Sequence, residues 1–485
     1  MPPVYRALRA LTGALVRLFF REVAVEGLRH VPGARGGLLV AWHPNGIVDP
    51  ALILARFPRR IVFGARDGLL RWPVVGPIMR ALGTVPIYRP QDAADDGPNG
   101  EAARRAANAR SLDALAAEVA GGSFAALFPE GVSHDLPHVA EVRSGAARLW
   151  GRASAMAREA GGPPPALIPV GLHYEDKDRF RSRVLVVFHP SLEVPDAAAV
   201  EAGDAAAVDA LTARIERALV STAHATDDWD LHHTMHRAAS LVRAEAARRA
   251  GVPVGEMTPG ERVLGMAQMW TGYQSRRATH APELAALREA VDAYERRLES
   301  LGLDDADLDR PPRIVRDPLL WALLVLQAVG VFLVLPLAVA VGYVVSGPPH
   351  LLLKALARRY ARAEKDAATV KLLGGVVLYP LAWVVAAVFA YVATDRAQAV
   401  VPWLPDAPGL AALAAFALSA AGAVAALRYT EIARATLRAL TVRLTRARRR
   451  AAVEQLRERR AVLHDRLVAM ADGLVLPASL ADRVG

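Results

Sequence analysis

The chain has 485 residues, 53% of them hydrophobic and 22% charged, which is more apolar than a soluble enzyme of this length needs, so part of it is expected in lipid. It contains no cysteine, which removes disulfides, thiol nucleophiles and zinc–thiolate sites and leaves His, carboxylate, Ser and Arg for any catalysis. The formal charge of +10 suits anionic lipid, nucleic acid or phosphorylated substrates; the basic residues gather beside apolar segments and no zinc-finger or aromatic-basic RNA-binding pattern is present, which favours a membrane.

Residues 4–21 set Leu8, Leu11, Leu15, Leu18 and Phe19 three and four apart with arginines between them, the pattern of an amphipathic helix. The segment 1–22 is therefore read as a helix in the membrane interface, with packing on its own domain as the alternative. Arg6, Arg9, Arg17 and Arg21 interrupt every apolar stretch, which argues against a secretory signal and for a first domain that stays in the cytoplasm.

From 23 to 220, short apolar runs alternate with helical stretches such as Ala102–Val119. The runs are Gly37–Trp42, Ile61–Phe63, Val85–Tyr88, Phe124–Phe128, Leu167–Leu172 and Val184–Phe188. Several are continuously apolar, as strands covered on both faces are, so the expected fold is α/β, a mixed sheet covered by helices. Asp92–Gly100, rich in Asp, Gly and Pro, reads as an exposed loop. Residues 221–316 read as a helical region closed by Pro311 and Pro312. His232 and His236 within it are an i, i+4 pair with metal-ligand spacing, but no third ligand accompanies them, and a structural role is expected.

Region 317–428 holds three uncharged runs, Pro318–Ser346, Leu372–Ala393 and Ala407–Leu427, each long enough for a transmembrane helix, and two or three hydrophobic helices are expected. The 347–371 loop and the tail after 427 are both basic and should share the cytoplasmic side. With the first domain there too, the first run cannot cross once. It is expected to dip in and return near Pro336 and Gly347-Pro348-Pro349. The segment 429–485 reads as a basic cytoplasmic helical tail whose stripe of Leu456, Leu463, Leu467 and Met470 touches anionic lipid.

Three strand-end turns in the α/β domain carry chemistry. In Trp42-His43-Pro44-Asn45-Gly46-Ile47-Val48-Asp49-Pro50, a turn that folds back lets Asp49 accept a hydrogen bond from one imidazole nitrogen and frees the other to take a proton. A His and an acid six apart arise about once by chance in a chain of this composition, so the pair gains meaning only from its place at a strand end. Arg89 ends Gly83-Thr84-Val85-Pro86-Ile87-Tyr88-Arg89, where a guanidinium can grip a phosphate through two parallel hydrogen bonds. In Phe128-Pro129-Glu130-Gly131-Val132-Ser133, Glu130 can hydrogen-bond a substrate hydroxyl or hold Arg89.

These blocks, with Leu167-Ile168-Pro169-Val170-Gly171, resemble in order and spacing those of the phospholipid/glycerol acyltransferase family over about residues 20–195. Five residues lie between His43 and Asp49 where the common form has four. That longer form, with Arg179-Phe180-Arg181-Ser182-Arg183, is similar to a branch with fungal glycerol 3-phosphate and dihydroxyacetone phosphate acyltransferases. The resemblance makes 23–220 the acyltransferase domain, with His43 the general base and Asp49 its orienting partner. It implies that Arg89 holds the acceptor's phosphate, Gly131 and Ser133 shape that site, Glu130 positions the acceptor, and Asn45 belongs to the substrate site or fixes the longer turn. The acceptor is expected to be glycerol 3-phosphate or a lysophospholipid and the co-substrate acyl-CoA or acyl carrier protein, with no cofactor and no metal.

A lipid-binding scaffold without turnover is the non-enzymatic alternative. A hydrolase using Ser133 lacks the Gly-x-Ser-x-Gly elbow. The Ala- and Arg-rich, cysteine-free composition points to a bacterial inner membrane with the catalytic domain cytoplasmic.

Overall fold

The apolar runs become strands of one seven-stranded sheet. The computed structural model describes residues 2–71, 75–88, 97–177, 179–255, 257–309, 317–360, 364–400 and 407–471. The first unit runs α1 (Pro3–Phe19), β1 (Glu22–Glu26), β2 (Gly37–Ala41), α2 (Val48–Arg56), β3 (Ile61–Arg66), α3 (Asp67–Leu70), α4 (Val75–Ala81), β4 (Val85–Ile87), α5 (Gly97–Ala120), β5 (Phe124–Leu127), α6 (Gly145–Glu159), β6 (Ala166–Tyr174), β7 (Arg183–Phe188), α7 (Ala197–Ala202) and α8 (Ala205–Ala223). Strand order is β1-β7-β6-β2-β5-β3-β4. The five strands β6, β2, β5, β3 and β4 are mutually parallel, while β7 runs antiparallel to β6 and carries β1 parallel to itself.

All five residues of β2 are buried because both faces of the sheet are covered. Side chains alternate between faces along a strand, so Leu39 joins Tyr5, Leu52, Phe57 and Phe188 on one side. Leu38 and Val40 join Leu115, Trp150 and Ile215 on the other. The register Gly37↔Phe124 and Gly37↔Ala166 lines up the C-terminal ends of β5, β2 and β6 along one edge. That edge is where the reactive turns emerge.

The N-terminal helix serves two surfaces. Tyr5, Val16 and Phe19 are buried in the core, where Val16 and Phe19 each contribute roughly 1.5–3 kcal/mol. The Tyr5 hydroxyl donates to the Ile61 carbonyl at 3.1 Å and accepts from the Ile61 amide at 2.9 Å, tying α1 to β3. Val4, Leu11 and Leu18 stay half or more exposed on the outer face. The exposed loop expected over Asp92–Gly100 is shortened, since α5 begins at Gly97; Asp92–Asp96 lie outside the described residues.

The second unit comprises α9 (Trp229–Arg249), α10 (Pro259–Arg276), α11 (Ala281–Ser300) and α12 (Asp305–Leu308). A helical segment follows as α13 (Pro318–Val329), a π turn at Gly330–Val334 and α14 (Leu335–Tyr360), then α15 (Glu364–Val400), α16 (Pro408–Arg448) and α17 (Arg450–Ala471). Val339–Arg359, Leu373–Ala397 and Pro408–Arg448 are long and apolar enough to cross a membrane. Many of their large apolar residues face outward, as lipid requires and water does not.

Two expectations about this half are corrected. The first uncharged run does not dip and return: Arg443 donates to the Leu320 carbonyl at 2.8 Å, Gln327 to Thr436 at 3.0 Å, and Tyr343 lies 2.8 Å from Thr430. Partners on α16 descend steadily as the run ascends, so α13 and α14 lie antiparallel to it in one direction. Gly342 and Gly422 permit the closest approach, where a Cβ on Gly342 would stand 2.1 Å from the Gly422 carbonyl oxygen. Nor does Gly347-Pro348-Pro349 open a loop, because α14 continues through it to Tyr360.

The tail stripe faces protein rather than lipid. Leu456 and Leu463 are buried with Leu241, Tyr294 and Leu298, and Leu467 and Met470 pack beside them. Arg460 is fully buried, donating to Glu245 at 3.1 Å, to the Asp305 carbonyl at 2.9 Å and to Asp309 at 2.5 Å. Burial alone would raise the Glu245 carboxyl, but Arg248, Arg249 and Arg460 bring it down to about 2.

Candidate active site

The turn after β2 folds back as its spacing requires. Pro44 and Gly46 bend it, Gly46 at φ +43°, and Asp49 falls in the first turn of α2, where the helix N-terminus favours a carboxylate. His43 Nδ1 lies 2.8 Å from Asp49 Oδ2. The Asn45 amide donates to the same oxygen at 2.8 Å, and the Tyr174 hydroxyl donates to Oδ1. Asp49 is fully buried, while the His43 side chain keeps 18% of its surface exposed. With Nδ1 engaged, Nε2 points away from Asp49. Phe128 stacks on the imidazole at 4.0 Å and 17°, fixing the ring plane.

Tyr174, the last residue of β6, enters three residues beyond the Leu167–Gly171 block and was not singled out in the sequence. Burial pushes its phenol well above its ordinary range, and the Asp49 charge adds to that, so it stays protonated and its hydrogen goes to Asp49.

Glu130 is turned toward backbone amides and His134. It is 2% exposed, and its carboxylate accepts from the His43 amide at 2.8 Å and the Ala140 amide at 2.8 Å. His134 Nε2 meets the same carboxylate at 2.7 Å, while His134 Nδ1 accepts from the Leu136 amide at 3.2 Å, which sets the Nε2–H tautomer. The His134 amide in turn donates to the His43 carbonyl at 3.1 Å. Glu130 and His134 thus hold the backbone of His43 from both sides.

Asn45 is likewise turned inward. It is fully buried, its amide on Asp49 and its side chain donating to the Lys177 carbonyl at 2.7 Å, so it fixes the longer turn instead of lining the cleft.

Gly131 sits past β5 at φ +71°, a conformation open to glycine without strain. A Cβ there would stand 3.6 Å from Arg143 Nε. Arg143 is exposed, has no ion-pair partner among the described residues, and is tied to the turn by its amide on the Pro129 carbonyl at 3.0 Å. Sequence reading missed it because it lies outside the three motifs. Ser133 is partly buried on the same turn. Arg89 lies outside the described residues; β4, which leads toward it, ends at Ile87 on the same edge of the sheet.

The paired histidines lie on α9, joined through Trp229 to Lys177 and the Asp135 carbonyl. His232 and His236 rings are 5.0 Å apart on α9 beside Trp229 and His233. Among the described residues no three metal-capable groups converge there or elsewhere.

Comparisons with known proteins divide the chain the same way. The acyltransferase family model matches residues 22–172, which contain His43, Asp49 and Glu130. The model of the glycerol-3-phosphate acyltransferase 2 C-terminal domain matches residues 244–474, which join α10–α12, the apolar helices and α17. An uncharacterized acyltransferase of Schizosaccharomyces pombe is 24% identical over 77% of this chain and 65% of its own length. Glycerol-3-phosphate O-acyltransferase 2 of Saccharomyces cerevisiae is 27% identical over 37% of this chain and 23% of its own length. The chain thus spans less than two thirds of either relative. The crystal structure of the 1-acyl-sn-glycerophosphate acyltransferase of Thermotoga maritima aligns at a TM-score of 0.30 and 21% identity, covering 44% of this chain and 79% of that one.

Proposed function

The chain belongs to the glycerol-3-phosphate and lysophosphatidate acyltransferase family, and we propose that it transfers an acyl chain from a thioester to a hydroxyl of glycerol 3-phosphate or 1-acylglycerol 3-phosphate in membrane lipid synthesis. The observation that carries this reading is the buried Asp49 carboxylate, which orients a partly exposed His43 through Nδ1 and leaves Nε2 unengaged by Asp49.

His43 Nε2 takes the proton of the acceptor hydroxyl as that oxygen attacks the thioester carbonyl. The C–S bond breaks, and the proton passes from the imidazolium to the departing thiolate of CoA or acyl carrier protein. A positioned base of this kind supplies roughly 10²–10⁴ in rate, and clamping the acceptor's phosphate supplies further rate through orientation. Arg143, beside Gly131 and Ser133, is one cation of that clamp, and Arg89 is its expected partner. The stretch of α16 just past its uncharged run is tied to the acyltransferase unit through Arg181–Glu431, and the basic residues beyond it support a cytoplasmic catalytic face under the positive-inside tendency.

Purified full chain is tested with labelled acyl-CoA and a panel of glycerol 3-phosphate, dihydroxyacetone phosphate and lysophosphatidate. Esterified product that disappears in His43→Ala, with unchanged circular dichroism, is expected. Release of free fatty acid alone would show a hydrolase, and no product with any acceptor or thioester would show a binding protein.

A further inference from the structure

The hairpin turn joining β6 to β7 carries Arg179-Phe180-Arg181-Ser182-Arg183, a motif that acyl transfer leaves without a task. Arg181 lies at φ +66°, one of two non-glycine residues in the left-handed region among the described residues. Glycine would adopt that conformation without strain, so an arginine there is retained for what its side chain does. Its Nε donates to Glu431 Oε1 at 2.9 Å, and its amide donates to the Phe19 carbonyl at 2.6 Å. Glu431 lies on α16, one helical turn beyond the uncharged run Ala407–Leu427. The end of α1, with its exposed apolar stripe, and the end of the uncharged run of α16 therefore meet at this one residue.

The same hairpin holds the catalytic turn. Ser182 Oγ donates to the Asp176 carbonyl at 2.6 Å and the Glu175 amide to the Arg183 carbonyl at 2.9 Å, closing it across its width. At its base Tyr174 donates to Asp49, and the Lys177 carbonyl accepts from Asn45. We propose that Arg181 is a positioning residue which, through its ion pair with Glu431, transmits the seating of the membrane helix α16 to the His43–Asp49 pair. The proposal rests on the acyl-transfer reading of that pair. Loss of either partner unties the hairpin from α16, the hairpin relaxes, and the supports of Asp49 and Asn45 move with it.

The full chain in lipid nanodiscs carries the test, with Glu431→Gln, Arg181→Gly, Arg181→Lys and the exchanged pair Arg181→Glu/Glu431→Arg. Glu431→Gln and Arg181→Gly should lower kcat at least about tenfold, the scale on which small misplacements act. KM for both substrates should stay within about twofold and the melting temperature within about 2 °C. Amide exchange at residues 175–177 and 179–183 should rise in those variants. Arg181→Lys and the exchanged pair should recover part of the loss. Unchanged kcat and exchange, expected of an ordinary surface pair, would overturn the proposal, as would a kcat loss that only follows melting temperature. Should the wild-type chain transfer no acyl group, the acyl-transfer reading fails, and the exchange measurement still decides the coupling.

Discussion

Tyr174 donates its phenolic hydrogen to Asp49 from 125 positions away in the sequence, so the acid that orients His43 is itself held by a different strand. Both oxygens of a fully buried carboxylate are thereby engaged, one by Tyr174, the other by His43 and Asn45. Tyr174→Phe leaves Oδ1 unpaired in a dry site, which should cost about 1–3 kcal/mol of stability. It should also lower kcat, while KM for the acceptor holds because the phenol's hydrogen is committed to Asp49. Denaturant unfolding and steady-state kinetics check both, and wild-type kcat in a variant that folds would remove Tyr174 from the site.

Glu130→Gln separates the role found from the role expected. Three N–H groups converge on the Glu130 carboxylate, and an amide in its place turns an NH₂ toward one of them. Stability should fall by about 1–3 kcal/mol. The His43 backbone should loosen and kcat fall, with acceptor KM unchanged within about twofold. A rise in KM at constant kcat would instead restore the acceptor-binding role.

How far the sequence could be read follows from which contacts are local. The strands of the parallel core announced themselves because burial on both faces makes Gly37–Ala41 continuously apolar. Glu22–Glu26 escaped notice because this edge strand is short and ends in charges. His43 and Asp49 share one turn, so their pairing was legible from spacing. Tyr174 and Arg143 come from distant segments, and only the sheet register and the path of the chain after β5 bring them in. The partners of Glu130 were not legible, because the donors that meet its carboxylate come from the His43 and Ala140 backbone, which no local pattern around Pro129-Glu130-Gly131 announces. The direction of the first uncharged run was misread for a similar reason, since composition reports apolarity but not which helix lies alongside.

Arg143 offers a test of the phosphate site that leaves the base untouched. Its guanidinium stands over Gly131, exposed and without an ion-pair partner among the described residues. A hydrogen bond to a charged group contributes about 1.5–3 kcal/mol, so Arg143→Ala should raise KM for a phosphorylated acceptor roughly tenfold to a hundredfold. KM for the thioester should not move. Arg143→Lys should recover only part, because an ammonium lacks the two-pronged geometry. Equal loss with an unphosphorylated glycerol acceptor would mean that Arg143 shapes the turn rather than grips phosphate.

The paired histidines of α9 give the helical unit a signature in pH. Burial brings His232 down from 6.5 to about 4, with the neighbouring His233 adding to it, and brings His236 well below 6.5. Both are bases held neutral, so the unfolded chain takes up protons below about pH 6.5 while the folded chain resists until about pH 4 for His232. The stability tied to His232 is therefore whole above pH 6.5 and is lost as pH falls toward 4, by roughly 3 kcal/mol. Total stability hides this, because burial raises Asp305 to about 6 and Glu295 to about 7, and those carboxyls favour the folded chain at low pH and lose that contribution as pH rises. The informative quantity is the difference between wild type and His232→Phe, which keeps a ring beside Trp229 and His236. Denaturant unfolding from pH 7.5 to 4 should show wild type losing stability relative to the variant as pH falls; a pH-independent difference would mean that His232 takes up its proton as readily in the fold as in the unfolded chain.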